Sequence, residues 1–144
     1  PEVAAETNNL AFLYYKLGKF EEAFLLYKKA LKIFQKIYGR NHPEIAFTIN
    51  NLGLLFLEQK KYRESEILFT RALKIRIEML GEEHPDLTDS YKPISKLYEE
   101  QNRIPEAIDY LEKAYSILEK LFGKENPEVI QVSEKLMALK NKRP

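Results

Sequence analysis

The chain contains no cysteine, and its 144 residues include only five glycines. Without cysteine there is no disulfide framework, and no thiolate can serve as a nucleophile. The glycines stand apart from one another, so the sequence has no Gly-rich loop that could cradle a phosphate group. It also has no apolar run near the roughly 20 residues that span a bilayer and no segment that resembles a signal peptide. The cytoplasm is therefore the default expectation.

An excess of charge of one sign is also missing. Lysine and arginine number 23, aspartate and glutamate 22, and the formal net charge is +1. Proteins that bind nucleic acids generally carry a basic excess, so this balance argues against that class. An RNA-binding helical array would have to depend on the tyrosines and on the basic tail at Lys140, Lys142 and Arg143, because no basic stripe repeats along the chain.

The sequence does have an internal repeat of 42 residues. Residues 39–44 read Gly-Arg-Asn-His-Pro-Glu, residues 81–86 read Gly-Glu-Glu-His-Pro-Asp, and residues 123–128 read Gly-Lys-Glu-Asn-Pro-Glu. The first two copies share 15 of 42 identical positions, whereas the second and third share nine, so the third copy has diverged. We divide the chain into a single array with repeats at about 1–42, 43–84 and 85–126, followed by a capping helix at about 127–141.

Each repeat is predicted to be a pair of helices, A and B, because apolar residues recur at helical spacing in both of its halves. Gly39, Gly81 and Gly123 are expected to end the B helices in the left-handed conformation, and the proline that follows suits the first turn of the next helix. The predicted A helices cover about 3–16, 44–59 and 86–101, the B helices about 20–37, 62–79 and 104–121, and the last helix 128–141.

One helical hairpin cannot bury its own apolar face, but stacked hairpins can bury each other's. The pattern therefore predicts an all-α solenoid of three helix-turn-helix repeats. The last helix carries Val129, Val132, Leu136 and Leu139 on one face, and it would cover the apolar surface left open by the last B helix.

These residues resemble the tetratricopeptide repeat, in the 42-residue subtype of the kinesin light chains. The resemblance rests on Asn-Asn-Leu at residues 8–10 and 50–52, Ala-Leu-Lys-Ile at residues 30–33 and 72–75, and the recurring Gly-x-x-His-Pro. It implies a right-handed superhelix whose A helices line a concave groove. In the family, such grooves hold extended peptides or partner helices, so the resemblance implies a protein-binding scaffold and not an enzyme.

Catalytic chemistry finds little support in the residues. His42 and His84 each precede a proline, and the third copy has Asn126 at that position. Histidine and asparagine share hydrogen-bonding ability but not general-base chemistry, so we expect a structural loop or capping role. The acidic pairs, such as Glu99-Glu100, are expected to be solvated helix ends. No cofactor or metal is predicted.

The resemblance also implies which side chains would face a bound peptide. Asn9 and Asn51 are the strongest candidates, because an amide can pair with a peptide backbone of any sequence. Phe12, Tyr15, Phe47, Leu54 and Leu57 would form an apolar floor if they are exposed; otherwise they would pack between adjacent A helices. The full set of candidate groove residues is Asn8, Asn9, Phe12, Tyr15, Phe47, Asn50, Asn51, Leu54, Leu57, Lys92 and Lys96.

The third repeat departs from this pattern. Basic residues occupy the positions of Lys92 and Lys96 in carboxylate-binding members of the family, but Asn8 and Phe12 do not complete such a clamp. We therefore expect at most a single acidic side chain or a chain terminus there. Pro93 stands where Asn9 and Asn51 stand, and it should kink its helix or delay the start, with Asp89 or Ser90 as the cap.

Self-assembly is the alternative to partner binding. Nothing precedes the first A helix in the sequence at hand, so its face at Ala4, Phe12 and neighbouring residues would be uncovered and could dock on another copy. The chain begins at Pro1 and not at a methionine, which suggests a piece of a longer protein. The identity of a partner does not follow from the sequence.

Overall fold

The computed structural model describes residues 1–142, and this part of the chain contains seven α-helices, one short 3-10 helix and no strand. The sequence prediction that the fold is all-α is confirmed, and the predicted helix bounds agree within one residue except at the start of the third A helix, which lies two residues later than predicted. Arg143 of the basic tail lies outside the described residues. The helices are α1 (Glu2–Lys16), α2 (Phe20–Tyr38), α3 (Pro43–Glu58), α4 (Tyr62–Leu80), α5 (Thr88–Glu100), α6 (Ile104–Phe122) and α7 (Pro127–Asn141).

The chain divides into two compact units. The N-terminal unit, residues 1–79, contains α1 to α3 and nearly all of α4. The C-terminal unit begins at Leu80 and contains the 3-10 helix and α5 to α7. In the N-terminal unit one buried cluster joins α1, α2, α3 and α4 through Ala4, Phe34, Ile49 and Ala72. Val129, Val132, Leu136 and Leu139 of α7 are buried, as their spacing predicts.

Small residues occupy one matched pair of buried positions on the A and B helices of each repeat. In the first repeat they are Ala11 and Ala23, which are both fully buried in one cluster. In the second, the Ser65 hydroxyl donates to the Gly53 carbonyl at 2.8 Å. In the third, 42 residues later, the direction is reversed, and Ser95 donates to the Ala107 carbonyl at 2.6 Å. All three repeats thus keep small residues at these positions. The hydroxyl donor lies on the B helix in the second repeat and on the A helix in the third.

In the second repeat the ring of Phe69 also limits the size of the residue at position 53. A Cβ atom at Gly53 would lie 2.6 Å from two ring carbons of Phe69, so the glycine is required by its neighbour. The register equivalents of Phe69 are Tyr27 in the first repeat and Leu111 in the third. The third repeat alone therefore lacks an aromatic ring at this buried position.

The turn between the A and B helices requires one residue with positive φ in every repeat. Gly18, Lys60 and Asn102 occupy this position with φ of 77°, 61° and 59°. In the first repeat Gly18 N–H donates to Tyr15 O and Lys19 N–H to Tyr14 O, the bond pattern of a Schellman motif. The other two turns repeat the pattern, so Lys60 adopts a conformation that glycine enters at lower cost.

The junctions between repeats are capped by imidazole or amide side chains. His42 Nδ1 accepts a hydrogen bond from Glu44 N–H and His84 Nδ1 from Asp86 N–H, both at 3.1 Å. Asn126 Oδ1 accepts from Glu128 N–H at 2.9 Å. The predicted capping role of the histidines is confirmed, and it explains why asparagine can replace them.

The glycines that end the B helices differ from the prediction. Gly39 has φ 81° and ψ −151°, and Gly123 has φ 80° and ψ 165°. The sign of φ agrees with the expectation, but ψ lies far from the left-handed helical value, in a region that is essentially restricted to glycine. The chain therefore leaves each of these helices in an extended direction toward the capping residue.

The third A helix starts late, which is one of the two outcomes predicted from Pro93. Residues Pro85–Leu87 form a 3-10 turn, and α5 begins at Thr88, although Pro93 still lies inside it. Capping by Asp89 or Ser90 was wrong, because the N-cap of α5 is Leu87 and no side chain caps it. The Thr88 hydroxyl instead donates to the Pro85 carbonyl at 2.8 Å.

Candidate partner-binding face

In the N-terminal unit, the predicted amides of the A helices differ in exposure. Asn9 is exposed on α1, whereas Asn8, Asn50 and Asn51 are buried. Asn8 is 3% exposed, and its Oδ1 has no hydrogen-bond partner among residues 1–142. Asn9 is therefore the amide best placed to reach a peptide backbone, and Asn51 offers little of its surface.

The predicted apolar floor is only partly exposed. Phe12 is 40% and Phe47 46% exposed, while Tyr15 and Leu54 are half-buried. Leu57 is 3% exposed and belongs to the packing between helices, so it cannot form part of an exposed floor. The exposed members of the predicted floor are thus the rings of Phe12 and Phe47.

A cation lies over the aromatic residues of α1. The rings of Phe12 and Tyr15 are 6.0 Å apart, and Lys16 Nζ lies 5.3 Å from the first centroid and 5.9 Å from the second. The Tyr15 hydroxyl is hydrogen-bonded to Glu58 of α3, and burial, together with that carboxylate, raises the pKa of Tyr15. Tyr15 therefore remains a neutral donor that links α1 to α3.

In the C-terminal unit residues of α5, α6 and α7 line an open cavity of about 440 Å³. Lys92 and Lys96, the two basic candidates of the third repeat, both line it. Leu111 and Val132 are buried at its apolar floor, and Ser95 is buried beside them. Glu99 and Glu100 also line the cavity, and the predicted set of groove residues missed Ser95, Leu111, Gln131, Val132 and Lys135.

The missed residues could have been found from the repeat register. The seventh helix occupies the place of a fourth A helix, since Pro127 follows Pro85 by 42 residues. Subtracting 84 from Lys96, Leu111 and Gln131 gives Phe12, Tyr27 and Phe47. At these positions the C-terminal unit carries a lysine, a leucine and a glutamine where the N-terminal unit carries three aromatic rings.

Ion pairs connect α5 with α7 around the cavity. Lys92 Nζ donates to Glu128 Oε1 at 2.8 Å. Glu99 accepts from Lys135 and from Lys142, each at 3.0 Å. Burial pushes the pKa of Glu99 up, but the hydrogen bonds from the two lysines outweigh it, and the pKa lies below the ordinary value. Most of the charges in this cavity are therefore neutralised by partners within the unit.

A second cavity, of about 400 Å³, lies at the turn end of the N-terminal unit. It is lined by Phe20, Phe24, Leu25, Leu55 and Phe56 together with Glu21, Gln59 and Lys61. The rings of Phe24 and Phe56 meet edge to face at 5.9 Å. None of the predicted groove residues lines it.

Neither a metal site nor a membrane span is found in the described part of the chain. No three histidine, aspartate or glutamate side chains among residues 1–142 come together as metal ligands. No helix within this range is both long enough and apolar enough to cross a bilayer.

Comparisons with known proteins agree with this architecture. A family model described as the tetratricopeptide repeat matches residues 3–78 and 68–120. The crystal structure of BtubC (BKLC) from P. vanneervenii superimposes with a TM-score of 0.85 at 25% identity, over 96% of this chain and 55% of that protein. A search of curated protein sequences finds no match.

Two further structures share the fold. A Podosopora anserina protein with nearly identical TPR-like repeats of the kinesin light chain kind gives a TM-score of 0.82 at 22% identity, over 94% of this chain and 64% of that one. The N-terminal domain of stress-induced protein-1 from C. elegans gives 0.65 at 20% identity, over 94% of this chain and 95% of that one. This chain thus spans between one half and two thirds of the first two proteins.

The predicted all-α helical repeat solenoid is confirmed by these likenesses, and members of the family are generally non-catalytic scaffolds. The 42-residue register, the capped junctions and the matched segments lead to one assignment: the chain belongs to the tetratricopeptide repeat family, in its kinesin-light-chain-like form, whose repeats generally mediate interactions between proteins.

Proposed function

We propose that this protein binds a segment of another protein on the face formed by its A helices. The observation that carries the proposal is the cavity between α5 and α7, which has an apolar floor at Leu111 and Val132 and a charged rim. Such a combination suits a peptide that inserts one apolar side chain while its polar groups meet the rim. Lys92 and Lys96 would meet a carboxylate of that peptide.

The A helices of the N-terminal unit would contribute a second contact of different chemistry. Phe12 and Phe47 are exposed aromatic rings, which are enriched where proteins bind each other. Asn9 is exposed beside them in sequence and can pair with a peptide backbone. We expect apolar side chains of the partner to contact this surface.

Binding of a peptide panel by fluorescence anisotropy tests the proposal. Gln131→Phe places a ring at the rim of the cavity, at the register position of Phe47, and should weaken binding about tenfold or more. Met137→Phe adds a ring at another exposed position of α7 and serves as the control. Phe47→Ser and Ile67→Ser form a matched pair, since both remove an exposed apolar side chain but only the first lies on an A helix. Equal affinities within both pairs would contradict the proposal.

Self-association is a second candidate, and the first helix favours it. Leu10 and Leu13 of α1 and its C-cap residue Leu17 are exposed, although the counterparts of the first two, Leu52 and Leu55, are buried. The face predicted from sequence must be corrected, because Ala4 is fully buried and only Phe12 of the two named residues is exposed. Sedimentation velocity over a range of concentrations tests this candidate, with Leu13→Ser expected to abolish any dimer and Leu25→Ser as the control.

A further inference from the structure

We propose that Glu128 is a built-in competitor for the carboxylate of the partner, so that the cavity in the C-terminal unit discriminates between ligands with one acidic group and ligands with two. This inference rests on the proposed function, because it concerns how the same cavity selects its ligand. It assigns a role to a residue of α7 that does not itself line the cavity.

Glu128 contacts Lys92 in the way that the carboxylate of a bound peptide would. The Lys92 ammonium group lies 2.8 Å from Glu128 Oε1, a short charge-assisted hydrogen bond. Glu128 is fixed at the start of α7, where its N–H donates to Asn126 Oδ1. A carboxylate of this chain therefore already occupies the place that a partner's carboxylate would take on Lys92.

Of the lysines on the rim, only Lys96 forms no ion pair with a carboxylate of residues 1–142. Lys135 is engaged by Glu99, which Lys142 also holds. Lys96 is exposed, and no carboxylate oxygen among residues 1–142 lies within ion-pair distance of its ammonium group. The first acidic group of a partner would thus bind Lys96 without displacing anything, and only a second one would have to compete with Glu128.

The competition should be measurable but modest. Both members of the pair keep substantial exposure, 34% for the lysine side chain and 47% for the glutamate, and ion pairs of this kind contribute little. Removing the internal carboxylate should therefore raise the affinity of a two-acid ligand by about two- to fivefold. A ligand with one acidic group should be unaffected.

The test compares three peptides that differ only in two adjacent acidic positions: Glu-Glu, Glu-Gln and Gln-Gln. Their affinities are measured by isothermal titration calorimetry for the intact chain, Glu128→Gln and Glu83→Gln. The last variant is the matched control, because Glu83 forms an exposed ion pair with Lys120 at 3.3 Å in the same unit, and neither residue lines the cavity. Circular dichroism verifies that all variants remain helical.

The expected result is a two- to fivefold gain for the Glu-Glu peptide in Glu128→Gln alone, with no gain for the other peptides or in Glu83→Gln. Equal binding of the Glu-Glu peptide to the intact chain and to Glu128→Gln overturns the inference and leaves the proposed function standing. If no peptide binds any of the three proteins at this cavity, the proposed function fails, and the inference fails with it.

Discussion

The two units place different chemistry at equivalent positions of one scaffold. In the N-terminal unit one contact between neighbouring A helices is the hydrogen bond from Tyr15 to Glu58. In the C-terminal unit the residues 84 positions later are Glu99 and Lys142, which form an ion pair at 3.0 Å. Equivalent positions thus hold either a tyrosine–carboxylate hydrogen bond or an ion pair. The surface beside them is therefore aromatic in one unit and charged in the other.

The same comparison extends to the cavity. Its lining includes Lys96, Leu111 and Gln131, where the N-terminal unit has Phe12, Tyr27 and Phe47. The C-terminal unit thus carries one flexible cation, one smaller apolar residue and one amide at positions where the N-terminal unit carries three rings. These differences lie in the third repeat and in α7, and they give the two units surfaces of different chemistry.

The largest expected effect on stability comes from the buried contact between Gly53 and Phe69. Gly53→Ala would place a methyl group 2.6 Å from the ring of Phe69, and overpacking of this kind costs about 1–3 kcal/mol, part of which the better helix propensity of alanine offsets. We expect a net loss of about 1–2 kcal/mol in the free energy of unfolding, measured by urea denaturation. The double variant Gly53→Ala/Phe69→Leu, which removes the ring as Leu111 does in the third repeat, should be less destabilised than additivity predicts; strict additivity would contradict the steric explanation.

A smaller effect concerns the junction caps, for which the first two junctions use histidine and the third uses Asn126. His42→Ala removes the acceptor for Glu44 N–H and should destabilise the chain by about 1 kcal/mol. His42→Asn should retain most of the stability, since asparagine performs the same role before α7. Thermal unfolding of the two variants measures the difference, and an alanine variant as stable as the asparagine one would exclude a capping role.

The turns give a third comparison. Lys60 has φ 61°, at the position that Gly18 and Asn102 occupy in the other repeats. Lys60→Gly should raise the free energy of unfolding by about 0.5–1 kcal/mol, because a side chain with a Cβ is strained in this conformation. Lys61→Gly, at the next residue, is the control and should not stabilise. Chemical denaturation distinguishes the two, and equal changes would show that strain at Lys60 is negligible.

The smallest effect is expected from the ion pairs of α7. Because the pKa of Glu99 is lowered in the folded chain, its contribution is fully present above the ordinary glutamate pKa of about 4.3 and is lost as the pH falls through the lowered value. The protection of the α7 amides from hydrogen exchange, relative to an unfolded chain at the same pH, should therefore fall in that acid range and at about 1 M salt, which screens charges beyond ~3 Å. Glu99→Gln should reduce both dependences, while the Lys92–Glu128 and Lys140–Glu112 pairs keep part of them, and α1 should show neither.

The sequence was sufficient for the helices because their signals are local. Apolar spacing indicates the helices, and the glycines and the His-Pro and Asn-Pro junctions indicate where one ends and the next begins. The start of α5 was harder, because Pro93 permits either a kink or a late start and only tertiary packing decides between them. The ψ angle at Gly39 likewise depends on the direction of the next helix, and glycine alone does not specify it.

The candidate site was less accessible from sequence. A position on an A helix predicts which face a side chain occupies, but it does not predict how deeply neighbours cover it, as the buried Leu57 and Asn51 show. The cavity depends on Leu111 of a B helix and on Val132 of the last helix, which contribute only after the helices have packed. Comparing the repeats position by position would have revealed the missing aromatic ring.

Mapping the bound peptide by NMR tests the central claim most directly. Amide and methyl shifts of the intact chain would be followed during titration with the tightest peptide of the panel. We predict that the changes concentrate on Ser95, Lys96, Leu111 and Val132 around the cavity, with a second group at Asn9, Phe12 and Phe47 for peptides with further apolar residues. Changes confined to the exposed B-helix residues Leu25 and Ile67, or shifts of Leu10 and Leu13 that follow protein concentration alone, would contradict partner binding on the A-helix face.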